Sequence, residues 1–240
     1  MRLDKLLSHT GYGTRKEVKK LLKTGAVKVN ANFVKDAKTQ VDPQNDTVSV
    51  YDETIYYQPF IYLMLNKPKG VISATEDHHH QTVVDLLEID DQRYDPFPVG
   101  RLDKDTEGLL LLTNDGQFSH SLMSPKKHVK KTYIAEVDGQ VTDKEKLLFQ
   151  KGVELDDGYW TKPAELTILK AGEVSIVQLT ITEGKYHQVK RMFEAVGKKV
   201  MELKRIQIAN LRLDETLELG GYRELREDEW PLLFNDHTNQ

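Results

Sequence analysis

The chain has no cysteine among its 240 residues, which excludes disulfide frameworks, thiolate nucleophiles and Cys-ligated zinc or iron–sulfur centres. Long apolar runs are missing too. The longest, around Phe60 to Leu65 and Leu109 to Leu112, fall far short of the roughly 20 residues a membrane helix needs. The opening Met1-Arg2-Leu3-Asp4-Lys5 lacks the apolar stretch of a signal peptide. There is no phosphate-cradling G-x-x-x-x-G-K, no H-E-x-x-H, no Ser–His signature and no repeat of fixed period. What is present is a chain with 38% hydrophobic and 30% charged residues, enough for one good core and a small second domain. A cytoplasmic location is expected.

The net charge of −4 hides an asymmetry: residues 1–40 hold 10 Lys and Arg against 3 Asp and Glu, so the head is basic and the remainder acidic. Such a head suits a polyanion. Within it, Leu3, Leu6 and Leu7 share one helical face and Gly11 offers a stop. Thr14 and Glu17 have the spacing of a capping box. The helix it starts carries Val18, Leu21 and Leu22 on one face and Lys16, Lys19, Lys20 and Lys23 on the rest, and Gly25 closes it. Ala26 to Asn30 then reads as a strand that turns through Asn30-Ala31-Asn32 into Phe33-Val34. The cations Arg2, Lys5, Arg15, Lys16, Lys19 and Lys20 collect on two adjoining short helices, as phosphate contact requires. The alternatives are a solvated helix face or a helix-turn-helix reader of DNA, and the hairpin argues against the latter. The domain boundary is predicted near Gln58, dividing the chain into 1–58 and 59–240.

From Phe60 onward short strands outnumber helices. Strands are expected at Ile61 to Leu65, Val71-Ile72, Leu109 to Thr113, Thr132 to Val137, Val153 to Leu155, Ala164 to Leu169 and Val174 to Thr182. The predicted class is α+β with a mixed, mostly antiparallel sheet. Leu109 to Thr113 is a continuous apolar run of strand length, which implies burial on both faces. Asn114-Asp115-Gly116 marks a turn, and a short helix runs from Gln117 to Met123. Asp103 therefore sits on a loop entering a buried strand. There it suits a nucleophile or general base, or a structural Asp capping its own turn. Asp105 admits a paired-carboxylate metal site, which no other motif supports; His78-His79-His80 with Glu76 and Asp77 does not complete a ligand set. In Tyr186 to Gly197, Val189, Met192, Phe193 and Val196 recur at helical spacing. At about 100° per residue, Lys190 lies at the edge of that apolar face and Arg191 points to the opposite side, toward solvent or phosphate.

The head pattern Arg2-Leu3-Asp4-Lys5-Leu6, Gly11, Thr14-Arg15, Leu21-Leu22, Gly25, Val27, Val29-Asn30 resembles the α-L RNA-binding domain, with Ala31 where that family commonly has Gly. Further on, four motifs stand in the order and spacing of the RNA pseudouridine synthases. They are Leu65-Asn66-Lys67-Pro68-Lys69-Gly70, Gly100-Arg101-Leu102-Asp103-Lys104-Asp105-Thr106-Glu107-Gly108-Leu109, Lys131-Thr132-Tyr133, and Glu183-Gly184-Lys185-Tyr186-His187-Gln188-Val189-Lys190-Arg191-Met192. Within that family the chain is most similar to the branch that modifies one uridine of 16S ribosomal RNA. The neighbouring branch, acting on 23S ribosomal RNA, is the near alternative.

The resemblance implies that Asp103 is the catalytic aspartate, needed to break the bond between ribose C1′ and uracil N1 before the base rejoins through C5. Whether it attacks C1′, attacks the ring or takes a sugar proton is left open. No cofactor and no metal are implied. An ionised Asp103 wants a cationic neighbour, and Lys190, where the wider family often has Arg, is the expected one. Tyr133 matches the tyrosine that packs on the target uracil; read from alternation alone it is a core residue. Arg101 and Lys131 match positions beside the active-site phosphates. The stretches 126–131, 185–191 and 198–205 contain 4, 3 and 4 Lys/Arg and one acid, Glu202; converging around Asp103, they would make a basic channel. The implied partner is 16S ribosomal RNA, either naked or within an assembling small subunit, and a monomer is expected. A non-catalytic ribosome-assembly RNA-binding protein and a glycosidase of free nucleosides are the readings from other classes.

Overall fold

The computed structural model describes residues 1–234; residues 235–240, the end of the second predicted domain, lie outside them. The chain divides into two units, one made of residues 1–61 with 87–96, the other of 62–86 and 97 onward.

In the first unit, helices α1 (Leu3–His9) and α2 (Arg15–Lys23) pack on a four-stranded antiparallel sheet. Its strands are β1 (Val27–Val29), β2 (Asn32–Phe33), β3 (Val48–Val50) and β4 (Glu53–Ile55), in the order β2-β1-β3-β4. Leu3, Leu6, Leu7, Val18, Leu22 and Val27 fill its core with Val48 and Val50. The capping box forms as its spacing predicts: the Glu17 N–H donates to Thr14 Oγ1 at 3.4 Å, and the Thr14 N–H to Glu17 Oε2 at 2.8 Å. Asn30 and Ala31 turn β1 into β2 with φ of 50° and 67°. Lys5, Arg15, Lys16, Lys19 and Lys20 are exposed and, among the described residues, have no carboxylate within 4 Å. Arg2 differs: its guanidinium holds Asp4 through bonds of 3.0 and 2.6 Å, and the Asp4 side chain is 1% exposed.

The first unit extends past the predicted boundary to Ile61 and takes in residues 87–96 from the middle of the second predicted domain. The reason is aromatic packing. Helix α3 (Ile89–Gln92) leads to Tyr94, whose ring lies 5.3 Å from that of buried His9, and His9 Nδ1 lies 3.3 Å from Tyr57 Oη. Burial pushes the Tyr57 phenol up to about 12 and lowers the His9 imidazole.

The second unit is built on a nine-stranded sheet. In chain order the strands are β5 (Tyr62–Lys67), β6 (Phe97–Val99), β7 (Glu107–Thr113), β8 (Lys131–Asp138), β9 (Glu165–Lys170), β10 (Val174–Ile181), β11 (Lys199–Ile208), β12 (Leu211–Arg212) and β13 (Tyr222–Glu224). The order across the sheet is β13-β5-β7-β11-β8-β10-β9, with β6 on β7 and β12 on β11. Among the strands of the described residues β7 and β11 alone pair in parallel, so the α+β expectation of a mixed, mostly antiparallel sheet describes it. Helices α4 (Gly116–Met123), α5 (Asp143–Lys151), α6 (Gln188–Ala195) and α7 (Trp230–Phe234) complete the unit.

Leu109 to Leu112 of β7 are buried on both faces, as the unbroken apolar run requires. Asp115 caps α4 by accepting from the N–H groups of Gln117 and Phe118. One edge of β7 is divided: its first residues pair with Lys204 and Arg205 of β11, its last with β6. At that junction Gly108 has φ of 103°, and a Cβ there would meet the Arg205 carbonyl oxygen at 2.1 Å. Only glycine allows the approach. The expected strands at Val71-Ile72 and Val153 to Leu155 are reduced to single bridges, Ile72 to Thr82 and Glu154 to Trp160, because each segment turns away after one pairing.

Candidate active site

Asp103 lies on the loop joining β6 to β7 and lines a cavity of about 720 Å³ within the second unit. The loop is clamped from below. Lys67, at the end of β5 and 0% exposed, donates from Nζ to the carbonyls of Pro68, Asp103 and Thr106, each at 3.0 Å. All three ammonium protons are thereby used. Burial pulls the Lys67 ammonium down to about 8, while the nearby Asp103, Asp105 and Glu107 carboxylates oppose the fall. Ser73 adds a second clasp, donating to the Leu102 carbonyl and accepting from its N–H. A third is the bond from the Gly70 N–H to the Lys104 carbonyl at 2.8 Å. The backbone of Asp103 is thus fixed, while its side chain stays 28% exposed.

Two cationic or titratable groups from the start of α6 face that carboxylate. Lys190 Nζ lies 3.8 Å from Asp103 Oδ2, and His187 Nε2 lies 3.7 Å from Oδ1. The shorter contact of Lys190 is with Asp105 Oδ1, at 2.5 Å, and it holds the Asp105 carboxyl below its usual range. Lys190 therefore bridges two carboxylates, with Asp105 the closer, rather than serving Asp103 alone. His187 begins α6 in a left-handed conformation, φ 50°, with its ring stacked on Tyr186 at 3.8 Å. Behind it Gln188 donates to Glu183 Oε1, and Glu183 also accepts from the Lys162 N–H and the Tyr159 hydroxyl. These bonds brace the wall opposite Asp103.

The remaining predicted residues divide. Tyr133, buried on β8, lines the cavity, as does exposed Arg101. Lys131 also lines it, half-buried, with its Nζ 3.3 Å from the Val129 carbonyl; burial and nearby Arg205 draw its ammonium down to about 8. Arg191 is drawn elsewhere. Its guanidinium grips Asp156 at 2.5 Å and Asp157 at 2.7 Å, so it is neutralised rather than open to solvent or phosphate. Each of the three basic stretches sends one cation to the cavity: Lys131, Lys185 and Arg205. With Arg101, Lys104 and Lys162 they make six Lys or Arg against two carboxylates, Asp103 and Glu183. An acidic chain thus presents a basic concavity suited to a polyanion.

Sequence reading missed several contributors. Lys67, His187 and Gln188 stood inside the quoted motifs without a role, and Arg205 was counted only as charge. Among the described residues no three of His, Asp and Glu converge closely enough to hold a metal ion. His78, His79 and His80 are exposed, and Asp77 accepts from the backbone of the latter two.

Residues 61–195 match the RNA pseudouridylate synthase family. The chain belongs to that family. Residues 1–48 match the S4 domain. The chain is 54% identical to an uncharacterized RNA pseudouridine synthase, YtzG, of Bacillus subtilis, over 97% of this chain and 98% of that one. It is 43% identical to the ribosomal large subunit pseudouridine synthase B of the same organism, over 93% and 91%. It is 40% identical to the ribosomal small subunit pseudouridine synthase A of Salmonella typhimurium, over 95% and 98%. A crystal structure of a pseudouridylate synthase, 39% identical, superimposes with a TM-score of 0.68 over 97% of this chain and 99% of that one. The protein is accordingly an RNA pseudouridine synthase, an isomerase, with an S4 domain at its head.

Proposed function

We propose that this synthase converts one uridine of 16S ribosomal RNA to pseudouridine, with Asp103 as the catalytic carboxylate and Tyr133 and Lys190 completing the site. The observation that carries the reading is Asp103 itself: a partly exposed carboxylate on a clamped loop, facing a cavity, with Lys190 and His187 within 4 Å of its two oxygens. A carboxylate so placed can attack C1′, attack the ring or accept a sugar proton. The cavity volume is that of a ligand site able to enclose a nucleoside, so the target uridine reaches Asp103 by flipping out of its stack, against the Tyr133 wall. The exposed cations of α1 and α2 hold surrounding phosphates. The enzyme acts in the cytoplasm as a monomer, on RNA in an assembling small subunit.

Support for the small subunit comes from the 40% identity to the small-subunit enzyme across nearly the whole of both chains. Lys190 and the run Ser124-Pro125-Lys126-Lys127-His128 also fit that branch as the sequence reads. The 43% identity to the large-subunit enzyme favours a second reading, a target in 23S ribosomal RNA. The two separate in a pseudouridine map of 16S and 23S ribosomal RNA from cells lacking this protein, complemented with wild type or Asp103→Asn. One 16S site lost and restored only by wild type is the expected result. A lost 23S site selects the second reading, and unchanged maps overturn both.

A further inference from the structure

Arg205 is 2% exposed and sits in β11, opposite Tyr133 of β8. Its Nε donates to the Leu109 carbonyl at 2.8 Å, whereas its Nη2 is buried without a hydrogen-bond partner. Among the described residues no carboxylate lies within 4 Å of Arg205 or of Lys131. Lys131 uses one ammonium proton, on the Val129 carbonyl. The two cations interact with each other, and both line the cavity that Asp103 faces. Lys67 lies near Arg205 as well, but its three protons are committed to carbonyls.

An arginine stays charged under all conditions a protein meets. A buried charge without a counter-ion or full hydrogen bonding is costly, and a buried donor without a partner is rare. Such a group at a cavity wall, with half-buried Lys131 beside it, indicates that a ligand supplies what is missing. The more exposed Arg101 and Lys104 at the same cavity are the better placed to meet the phosphates of a bound strand. Arg205 and half-buried Lys131 line the wall of the cavity that a flipped base would enter. Uracil carries two carbonyl acceptors, O2 and O4. When its bond to C1′ breaks, the bonding pair stays on the ring, spread over N1, O2 and O4. Rejoining returns that pair to a C5–C1′ bond, after which C5 loses a proton and N1 gains one, so no oxidant or co-reactant is needed. Between the two events the base is anionic. Fixed positive charge placed where negative charge develops is the largest common source of rate enhancement.

We propose that Arg205 and Lys131 bind the carbonyl oxygens of the target uracil and stabilise the anion it becomes on leaving the sugar. The inference rests on the synthase reading of Asp103 and extends it to the other partner in bond cleavage.

The test uses the full-length enzyme and a ribosomal RNA fragment containing the mapped uridine. Single-turnover rate, RNA affinity with its salt dependence, and melting temperature are measured for Lys131→Met, Lys131→Arg and Arg205→Lys. Removing one preorganised donor typically costs about 10²–10³ in rate. Lys131→Met is therefore expected to slow the chemical step about 100-fold at unchanged affinity and salt slope, with Lys131→Arg recovering most of the loss. Arg205→Lys, which keeps the charge but withdraws the planar guanidinium, is expected to slow it at least about 10-fold and serves as the independent variant. A rate within about threefold of wild type for both Lys131→Met and Arg205→Lys overturns the inference. So does a loss confined to affinity, with the salt slope shallower by about 0.7, since that marks a phosphate contact. Loss of rate that tracks loss of melting temperature in both variants also overturns it in favour of a structural role. If wild type itself forms no pseudouridine, the synthase reading fails and not this refinement alone.

Discussion

The cations of the first unit and those of the second are used in opposite ways. On α1 and α2, Lys5, Arg15, Lys16, Lys19 and Lys20 stand exposed with no carboxylate within 4 Å among the described residues. Around Asp103, Lys67 and Arg205 are buried and Lys190 and Lys131 mostly so, each aimed at a named atom. Exposed charges act through a screened field, in which one lysine can replace another. Buried charges act by position. Substitutions should accordingly have graded, salt-sensitive effects in the head and abrupt, salt-insensitive ones at the cavity.

The largest expected effect is at Asp103. Asp103→Asn keeps the shape of the loop, since Lys67 holds backbone carbonyls rather than the carboxylate. Turnover should fall by roughly three orders of magnitude or more, about 4 kcal/mol in the barrier, while RNA affinity stays within about threefold. Single-turnover kinetics and filter binding check this. Retained activity would falsify the role given to Asp103 and reduce the contrast between the units to one of burial.

Lys67→Met comes next. It leaves three carbonyls without their donor, at a cost of about 1–3 kcal/mol for each that water fails to reach. It should lower the melting temperature and slow turnover together. Raising the pH acts on the same ammonium but separates the two readouts. The Lys67 and Lys131 ammonium groups, both near 8 in the folded chain, stand well below the ordinary lysine value of 10.5. Between about pH 8 and 10.5 the unfolded chain therefore binds more protons at these two sites, and their contribution to stability rises with pH. Activity should move the other way, because a neutral Lys67 amine has two N–H groups for three carbonyls. Parallel pH profiles of melting temperature and single-turnover rate test the divergence; a common fall above pH 8 would contradict it.

In the head, Lys16→Gln, Lys19→Gln and Lys20→Gln combined should leave the fold within about 0.5 kcal/mol. The same variant should weaken RNA binding and flatten the log–log salt slope by about 0.7 for each phosphate it no longer neutralises. An unchanged slope would remove these lysines from the interface and leave the two classes of cation without the functional contrast argued here.

The sequence was most legible where one local rule sufficed. The Thr14–Glu17 capping box, the buried Leu109 to Leu112 run and the Asp115 turn all form as their spacing implies. It was least legible where distant segments decide. Strand β11 went unread because bulges between Val200 and Glu202 and between Arg205 and Gln207 break its alternation. Arg205 therefore looked like surface charge. Lys67 reads as an ordinary lysine until the loop 100–106 folds over it. Arg191 was read from helical angle alone, and nothing in that angle foretells Asp156 and Asp157 arriving from another loop. Residues 87–96 likewise belong with the head because Tyr94 meets His9, a pairing no local pattern contains.

The smallest effect sharpens the comparison from the side of strain. Ala31 occupies the second central position of the β1–β2 turn with φ of 67°, where an L-residue with a Cβ pays about 1–2 kcal/mol and Asn-Gly is the favoured pair. Ala31→Gly relieves that cost but gives back about 0.5–1 kcal/mol of unfolded-state entropy. The first unit should therefore gain about 0.5–1 kcal/mol, seen as a modest rise in its melting temperature. Activity should not change, because Ala31 belongs to the first unit while Asp103 and its clamp belong to the second. A destabilised Ala31→Gly protein would mean that the turn draws on the alanine methyl. A changed turnover would mean that strain in the hairpin reaches the catalytic loop, and the separate roles assigned to the two units would have to be redrawn.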